Sequence, residues 1–152
     1  MIKRMIHANI VVSDLERSLR FYRDILGAKV LFELDAETPD PALGTALGFT
    51  GAASYHGYLL GIGKGREATL IDLIQWLRPP GEGAPYDRMN HLGIARLALE
   101  VDDVDRAYDD LKAKGAKFIS APVDLHLPTV GGTRIAALKD PDGIILELVQ
   151  IK

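Results

Sequence analysis

Four ionisable side chains interrupt apolar, strand-like stretches of this sequence, and any chemistry must start from them. The clearest is Glu147, the one carboxylate in the apolar run of residues 144–151. Burying a lone carboxylate costs several kcal/mol, so Glu147 needs a cation, a metal ion or a hydrogen-bonding ligand opposite it. His7, Asp72 and Arg96 stand at comparable points of other strand-like segments.

Composition narrows the classes of partner. The 152 residues suffice for one domain or for two small fused repeats. The absence of cysteine excludes thiol catalysis and thiolate ligands, so a metal would have to use His, Asp, Glu or water. A formal charge of −3, with 18 Lys and Arg scattered among 21 acids, shows no basic face for nucleic acid or membrane. A small-molecule partner is therefore the expected one. A strand-like N-terminus and the lack of a membrane-length apolar run predict a cytoplasmic protein.

Hydrophobic periodicity in the first half predicts the order βαβββ. Apolar residues alternate over residues 5–12, and Ser13 and Asp14 then cap a helical pattern that Gly27 ends. Further strands are expected over residues 28–34, 54–63 and 67–77, the last two joined by a turn at residues 63–65. Residues 35–51 are rich in proline and glycine and predict a long mobile loop or lid.

The same order returns after a stretch that reads as a linker. Prolines and glycines make residues 78–90 unsuited to a helix or a central strand. Strands are then expected over residues 94–101, 118–127, 132–139 and 144–151, with a helix over residues 104–114 that Asp102 and Asp103 cap. The sequence Gly115-Ala-Lys117 repeats Gly27-Ala-Lys29. We therefore predict an α+β fold with a single domain over residues 1–152, made of module one (1–77), the linker (78–90) and module two (91–152).

Aligning the two modules brings the four ionisable residues into two equivalent pairs. His7 falls opposite Arg96, and Asp72 falls opposite Glu147. Strand alternation puts each of them on the face that its apolar neighbours do not occupy. If the helices cover the apolar faces, the four side chains converge inside a cupped sheet.

Three motifs carry a resemblance to a known family. They are His7 followed after six residues by Asp14-Leu15, the run Arg20-Phe-Tyr-Arg-Asp-Ile-Leu-Gly27, and the run Asp140-Pro-Asp-Gly-Ile-Ile-Leu-Glu147. With the internal repeat, this pattern resembles the vicinal oxygen chelate superfamily, which contains glyoxalase I, extradiol dioxygenases and bleomycin resistance proteins. The resemblance implies two βαβββ modules that form a cupped, open barrel-like mixed sheet with helices on its outer face, commonly as a homodimer. It also implies a divalent metal at four ligand positions, which are here occupied by His7, Asp72, Arg96 and Glu147.

Arg96 opposes that metal. Its guanidinium has only donors and stays protonated, so it cannot ligate a cation. At an effective dielectric near 20, a unit charge and a divalent ion ~4 Å apart repel by roughly 8 kcal/mol. The set His7, Asp72 and Glu147, completed by water, would suit zinc, manganese, iron or nickel only if Arg96 turned away. The alternative, which we favour, is an ion pair of Arg96 with Glu147 or Asp72 in place of the metal.

The resemblance implies a small-molecule enzyme of the glyoxalase or dioxygenase type, meaning a lyase, isomerase or ring-cleaving enzyme acting on an oxygen-rich or anionic substrate. Glu147 or His7 would serve as general base, and Arg96 would hold a carboxylate, phosphate or enolate oxygen. Tyr58 and Trp76 are candidates for substrate-binding walls, and His91 is the substitute metal ligand. One rival is a metal-free binding or sequestration protein of the bleomycin-resistance type. Another is a folded member whose cup is closed by salt bridges and inactive.

Overall fold

A computed structural model describes residues 1–65, 68–127 and 131–151 of the chain. The chain divides into two compact units, Met1–Gly83 and Ala84–Lys152, and the division falls inside the predicted linker. Glu67, where the sequence places the start of a strand, lies outside the described residues. No helix in the described part of the chain is long and apolar enough to cross a membrane.

In the first unit, one helix lies against a four-stranded sheet. The elements are β1 (His7–Val11), α1 (Leu15–Arg20) continued by a π-helical turn (Phe21–Ile25), β2 (Lys29–Asp40), α2 (Pro41–Ala46), β3 (Ala53–Ile62) and β4 (Thr69–Arg78). The strand order is β1-β4-β3-β2, in which β1 and β4 are parallel and the other pairs are antiparallel. Helix α1 packs on β3 and β4 and buries Leu15 and Leu19 there.

The second unit repeats this arrangement with a five-stranded sheet. Its elements are β5 (Leu97–Glu100), α3 (Val104–Ala113), β6 (Lys117–Phe118), β7 (Val123–Leu127), β8 (Gly131–Lys139) and β9 (Ile145–Ile151). The order is β5-β9-β8-β6, with β7 also paired to β8 and with β5 parallel to β9. Helix α3 packs on β8 and β9. The α+β class with tandem βαβββ modules is confirmed.

The two helices begin in the same way. The carboxylate of Asp14 accepts a hydrogen bond from the amide of Arg17, and that of Asp103 accepts one from the amide of Arg106. Each acid thereby satisfies an amide that the first helical turn leaves without a partner, as the sequence predicted.

The last strand of each unit holds its helix through a glutamine. The amide of Leu15 donates to Oε1 of Gln75 at 2.9 Å, and the amide of Val104 donates to Oε1 of Gln150 at 3.1 Å. Both glutamines therefore face their helices. Because strand side chains alternate, the acids three positions before them point to the opposite, helix-free face.

Three predicted boundaries were wrong. The mobile loop predicted for residues 35–51 is largely regular, since β2 runs to Asp40 and α2 follows with Asp40 as its cap and Pro41 in its first turn. The strand predicted for residues 118–127 is divided into β6 and β7. The strand predicted from residue 94 begins at Leu97, so Arg96 stands just before it.

Candidate active site

The first unit brings His7 and Asp72 together on the helix-free face. His7 Nε2 lies 3.6 Å from Asp72 Oδ2, and Asn9 Nδ2 donates to the same oxygen at 3.1 Å. The parallel register of β1 and β4 places Asn9 directly beside Asp72. The other oxygen, Asp72 Oδ1, is buried and has no hydrogen-bond partner among the described residues. An orphaned buried acceptor costs about 1–3 kcal/mol, so this oxygen is suited to accept a bond from a ligand or a cation.

A cluster of aromatic side chains lies further along the first unit's sheet. Trp76 lies four residues beyond Asp72 on β4 and so shares its face. Tyr55 is the cross-strand neighbour of Trp76, with ring centroids 5.3 Å apart. The ring of Phe49 packs edge-on against Trp76 at 5.1 Å. Trp76, Tyr55 and Phe49 thus form an aromatic cluster in the first unit. That Trp76 binds substrate stays a prediction.

Tyr58 lies on the other face of this sheet. Leu59 is the cross-strand neighbour of Asp72, so the preceding residue Tyr58 points away from it. Burial raises the pKa of Tyr58, and the negative charges of Glu33 and Glu16 add to this effect. Glu16 belongs to α1, which places Tyr58 toward the helix-covered side. The structure therefore does not bring Tyr58 to the face on which it was expected to bind substrate.

In the second unit, Arg96 pairs with Glu147. Arg96 Nε donates to Glu147 Oε2 at 3.0 Å, and the side chains are 44% and 10% exposed, respectively. This is the ion pair that the sequence offers as the alternative to a metal. The remaining N–H groups of Arg96 have no partner within the described residues, so they are available to an anionic oxygen.

The ion pair borders a cavity of about 260 Å³ on the helix-free face of the second sheet. The cavity is lined by Arg96, Leu125, Thr133, Ile135, Glu147, Val149 and Ile151. Its walls are mainly aliphatic, which strengthens electrostatic interactions inside it. Thr133 Oγ1 is buried without a hydrogen-bond partner in the described part of the chain. The cavity therefore offers one carboxylate, one cation and one free hydroxyl to a small molecule.

Two polar residues of these sites were missed in the sequence. Asn9 could have been found, because it follows His7 by two residues and so shares its strand face. Thr133 gave no such signal, because its role depends on cross-strand pairing with Ile151.

His91, the suggested substitute ligand, stacks on Tyr86 with ring centroids 4.1 Å apart and contacts the carbonyl of Leu92.

The residues of the family's metal positions only partly suit a divalent ion. In the first unit, the imidazole of His7 and the orphaned oxygen of Asp72 are appropriate donors. In the second unit, Glu147 is already bound by a permanent cation, and Arg96 cannot replace a ligand. Within the described residues of either unit, no three His, Asp or Glu side chains are placed to hold a metal. The four-position set as it stands does not fit the ion.

Comparisons with known proteins bear on the whole chain. A family model of the Glyoxalase/Bleomycin resistance protein/Dioxygenase superfamily matches residues 4–148. A probable lactoylglutathione lyase of Synechocystis sp. is 33% identical over 147 residues, covering 96% of this chain and 94% of that protein. A probable lactoylglutathione lyase of Vibrio cholerae is 31% identical, covering 98% of this chain and 91% of that protein.

A solved structure gives the same result for the fold. The crystal structure of a glyoxalase family protein from Bacillus cereus matches with a TM-score of 0.80 at 22% identity, covering 99% of this chain and 95% of that one. The names of both relatives support a glyoxalase-type lyase as the class of enzyme. The chain belongs to the Glyoxalase/Bleomycin resistance protein/Dioxygenase superfamily.

Proposed function

We propose that this protein is a glyoxalase-type lyase that acts on a small oxygen-rich or anionic molecule by acid–base chemistry at Glu147. The observation that carries the proposal is the Arg96–Glu147 pair at the edge of the second-unit cavity. A carboxylate that is mostly withdrawn from water is a suitable base, and a partly free guanidinium beside it is a suitable oxyanion donor.

In the proposed reaction, Glu147 removes the proton from a carbon next to a carbonyl group. The electrons of the broken C–H bond form a C=C bond, and the carbonyl oxygen becomes an enolate oxygen. The free N–H groups of Arg96 stabilise that negative charge, and the hydroxyl of Thr133 orients a second substrate oxygen. If the deprotonated carbon carries a hydroxyl group, Glu147 returns the proton to the former carbonyl carbon, the hydroxyl proton passes to the enolate oxygen, and the hydroxyl oxygen becomes the new carbonyl. If a carbon bonded to the deprotonated one carries a leaving group, the enolate re-forms the carbonyl, the bond to that group breaks, and the group takes the proton from Glu147.

His7 has a supporting place in this proposal. It stands beside Asp72 on the helix-free face, and imidazole is a common acid–base group in catalysis. We assign it a second acid–base role, with Asp72 and Asn9 limiting the positions of its ring. Trp76 would provide an apolar wall on the same face. We also propose that both units act as one domain over residues 1–152 and that the protein works as a homodimer.

The first substrate to test is the compound in the relatives' name. Lactoylglutathione is a hydroxyacyl thioester that also carries carboxylates, which agrees with the oxygen-rich, anionic class. The protein, prepared both after chelation and after addition of zinc, manganese, iron or nickel, should interconvert lactoylglutathione and the hemithioacetal that the proton shift gives. Thioester absorbance follows the reaction, and it should rise when the hemithioacetal is supplied, because the equilibrium favours the thioester. No turnover in any preparation would reject the proposal for this substrate.

A binding protein of the bleomycin-resistance type is the alternative that the same experiment separates. It would bind the thioester in calorimetry and leave it intact. The lyase names of the relatives favour turnover over sequestration.

A further inference from the structure

A second cavity, of about 570 Å³, lies in the first unit at the end of the sheet where β1, β2 and β4 begin and β3 ends. This volume is within the range of small-molecule sites. The residues that border it include Arg4, His7, Lys29, Lys64, Gly61 and Leu70. Of the residues given a role in the proposed function, His7 is the one that lines this cavity.

The charged side chains among the described residues that line this cavity are all positive. Arg4, Lys29 and Lys64 line it, and none of them forms an ion pair with a described residue. Among the described residues that line the cavity, none is an Asp or a Glu. The protein as a whole is acidic, with a formal charge of −3. Three cations that pair with none of the described residues concentrate positive potential around the concavity, and this potential attracts an anion.

Glycines shape two parts of the cavity. A Cβ on Gly61 would come within 3.3 Å of the side chain of Leu31, so the missing side chain keeps the cavity floor open. Gly63 and Gly65 have φ angles of 92° and 61°, a region that other residues rarely adopt. They flank Lys64 and so place its side chain at the tip of the hairpin turn, at the cavity rim.

The cavity adjoins the polar pair of the first unit. His7 lines it and is paired in register with Leu70, which also lines it. Leu70 precedes Asp72 by two residues on the same strand face, a step of about 7 Å. An anionic group held in this cavity would therefore lie beside His7, with Asp72 one such step further along the same face.

We propose that this cavity binds the anionic end, a phosphate or a carboxylate group, of the small molecule on which the protein acts. Assigning that anion to the substrate rests on the proposed function, whereas the capacity to bind anions does not. Lysine ammonium and arginine guanidinium groups recognise both kinds of anion through charge-assisted hydrogen bonds.

The test uses the full chain with two probes, inorganic pyrophosphate and malonate, titrated by calorimetry. The variants are Arg4→Gln, Lys29→Gln and Lys64→Gln, each of which removes one charge from the cavity. Lys117→Gln is the matched control, because Lys117 is exposed on β6 in the second unit. Each cavity variant should weaken binding of the preferred probe about tenfold or more, the usual loss for one charge-assisted hydrogen bond. Lys117→Gln should bind as the unmodified protein does.

Preference for pyrophosphate would identify a phosphorylated substrate, and preference for malonate would identify a carboxylate one. No saturable binding of either probe would overturn the inference, as would equal losses in Lys117→Gln and in the cavity variants. Intact anion binding without turnover of lactoylglutathione would reject the proposed function alone. Turnover of lactoylglutathione without saturable anion binding would reject this inference alone.

Discussion

Arg96 Nε donates a hydrogen bond to Glu147 Oε2 over 3.0 Å. The pair occupies the strand register that His7 and Asp72 occupy in the first unit. Leu97 is paired with Leu146 between β5 and β9, as Ala8 is paired with Ile71 between β1 and β4. The residues immediately before and after these partners are therefore equivalent. One position thus carries an imidazole in the first unit and a permanent cation in the second.

Removing Arg96 should destabilise the protein because Glu147 is left mostly buried without its cation. We expect Arg96→Gln to lower the free energy of unfolding by about 1–2 kcal/mol, between the values for exposed and buried pairs, because Arg96 is itself partly exposed. Urea denaturation would measure the loss. The double variant Arg96→Gln with Glu147→Gln should recover part of it. Strictly additive losses in the two single variants would show that the pair is not coupled.

Glu147 should be indispensable for turnover if it is the base. Glu147→Gln keeps the shape of the side chain and removes its ability to take a proton, so kcat should fall by about a hundred to ten thousandfold. Glu100→Gln is the control, because Glu100 is an exposed acid on β5 of the same unit. Wild-type kcat in Glu147→Gln would contradict the assigned role.

Much of the fold could be predicted because its signals are local. The residue type and position of Asp14 and Asp103 predict helix starts, and both residues cap their helices as expected. The helix inside the predicted lid was also signalled, by Asp40 as cap and Pro41 after it, but the surrounding glycines favoured a loop.

The faces of the site residues could be predicted only in part. Asp72 and Glu147 lie opposite their helices because alternation is a property of each strand alone. Tyr58 was misplaced because its face depends on the register between β3 and β4, which the sequence does not reveal. The orphaned hydroxyl of Thr133 likewise arises from cross-strand packing. The prediction that both polar pairs face one shared cup stays a prediction.

The glutamines that hold the helices should contribute equally to stability. Gln75→Leu and Gln150→Leu each leave a helix-start amide without its acceptor, so each should cost about 0.5–1.5 kcal/mol of unfolding free energy. Thermal or urea unfolding of the two variants and of Lys117→Gln would compare them with a neutral surface change. A loss in only one variant would show that the two hydrogen bonds are not energetically equivalent.

We expect a homodimer at micromolar concentration. β1 and β5 are edge strands of their sheets, and edge strands favour pairing with another chain. Apolar residues just before them are exposed, namely Ile6 at 62% and Ile94 at 80%. Light scattering should give twice the mass of one chain. A monomeric mass across the micromolar range would exclude the dimer.

The last prediction concerns Arg96, which occupies the position that His7 occupies in the first unit. Arg96→His replaces a permanent cation by an imidazole, which is a metal ligand when neutral. If Arg96 holds the place of the ion in the unmodified protein, the variant should gain stoichiometric zinc or nickel that the unmodified protein does not retain. Elemental analysis after dialysis would measure the content, and Arg96→Gln is the control that removes the charge without adding a ligand.

Divalent metal should also raise the free energy of unfolding of Arg96→His, and it should not do so for Arg96→Gln. An ion at one hundred times its dissociation constant stabilises the folded state by about 2.7 kcal/mol, which exceeds the loss expected from breaking the ion pair. Thermal unfolding with and without the ion should therefore show a rise in Tm for Arg96→His and none for Arg96→Gln. One tightly bound divalent ion per chain in the unmodified protein would contradict the prediction, because Arg96 would then have to leave Glu147 for the ion to bind.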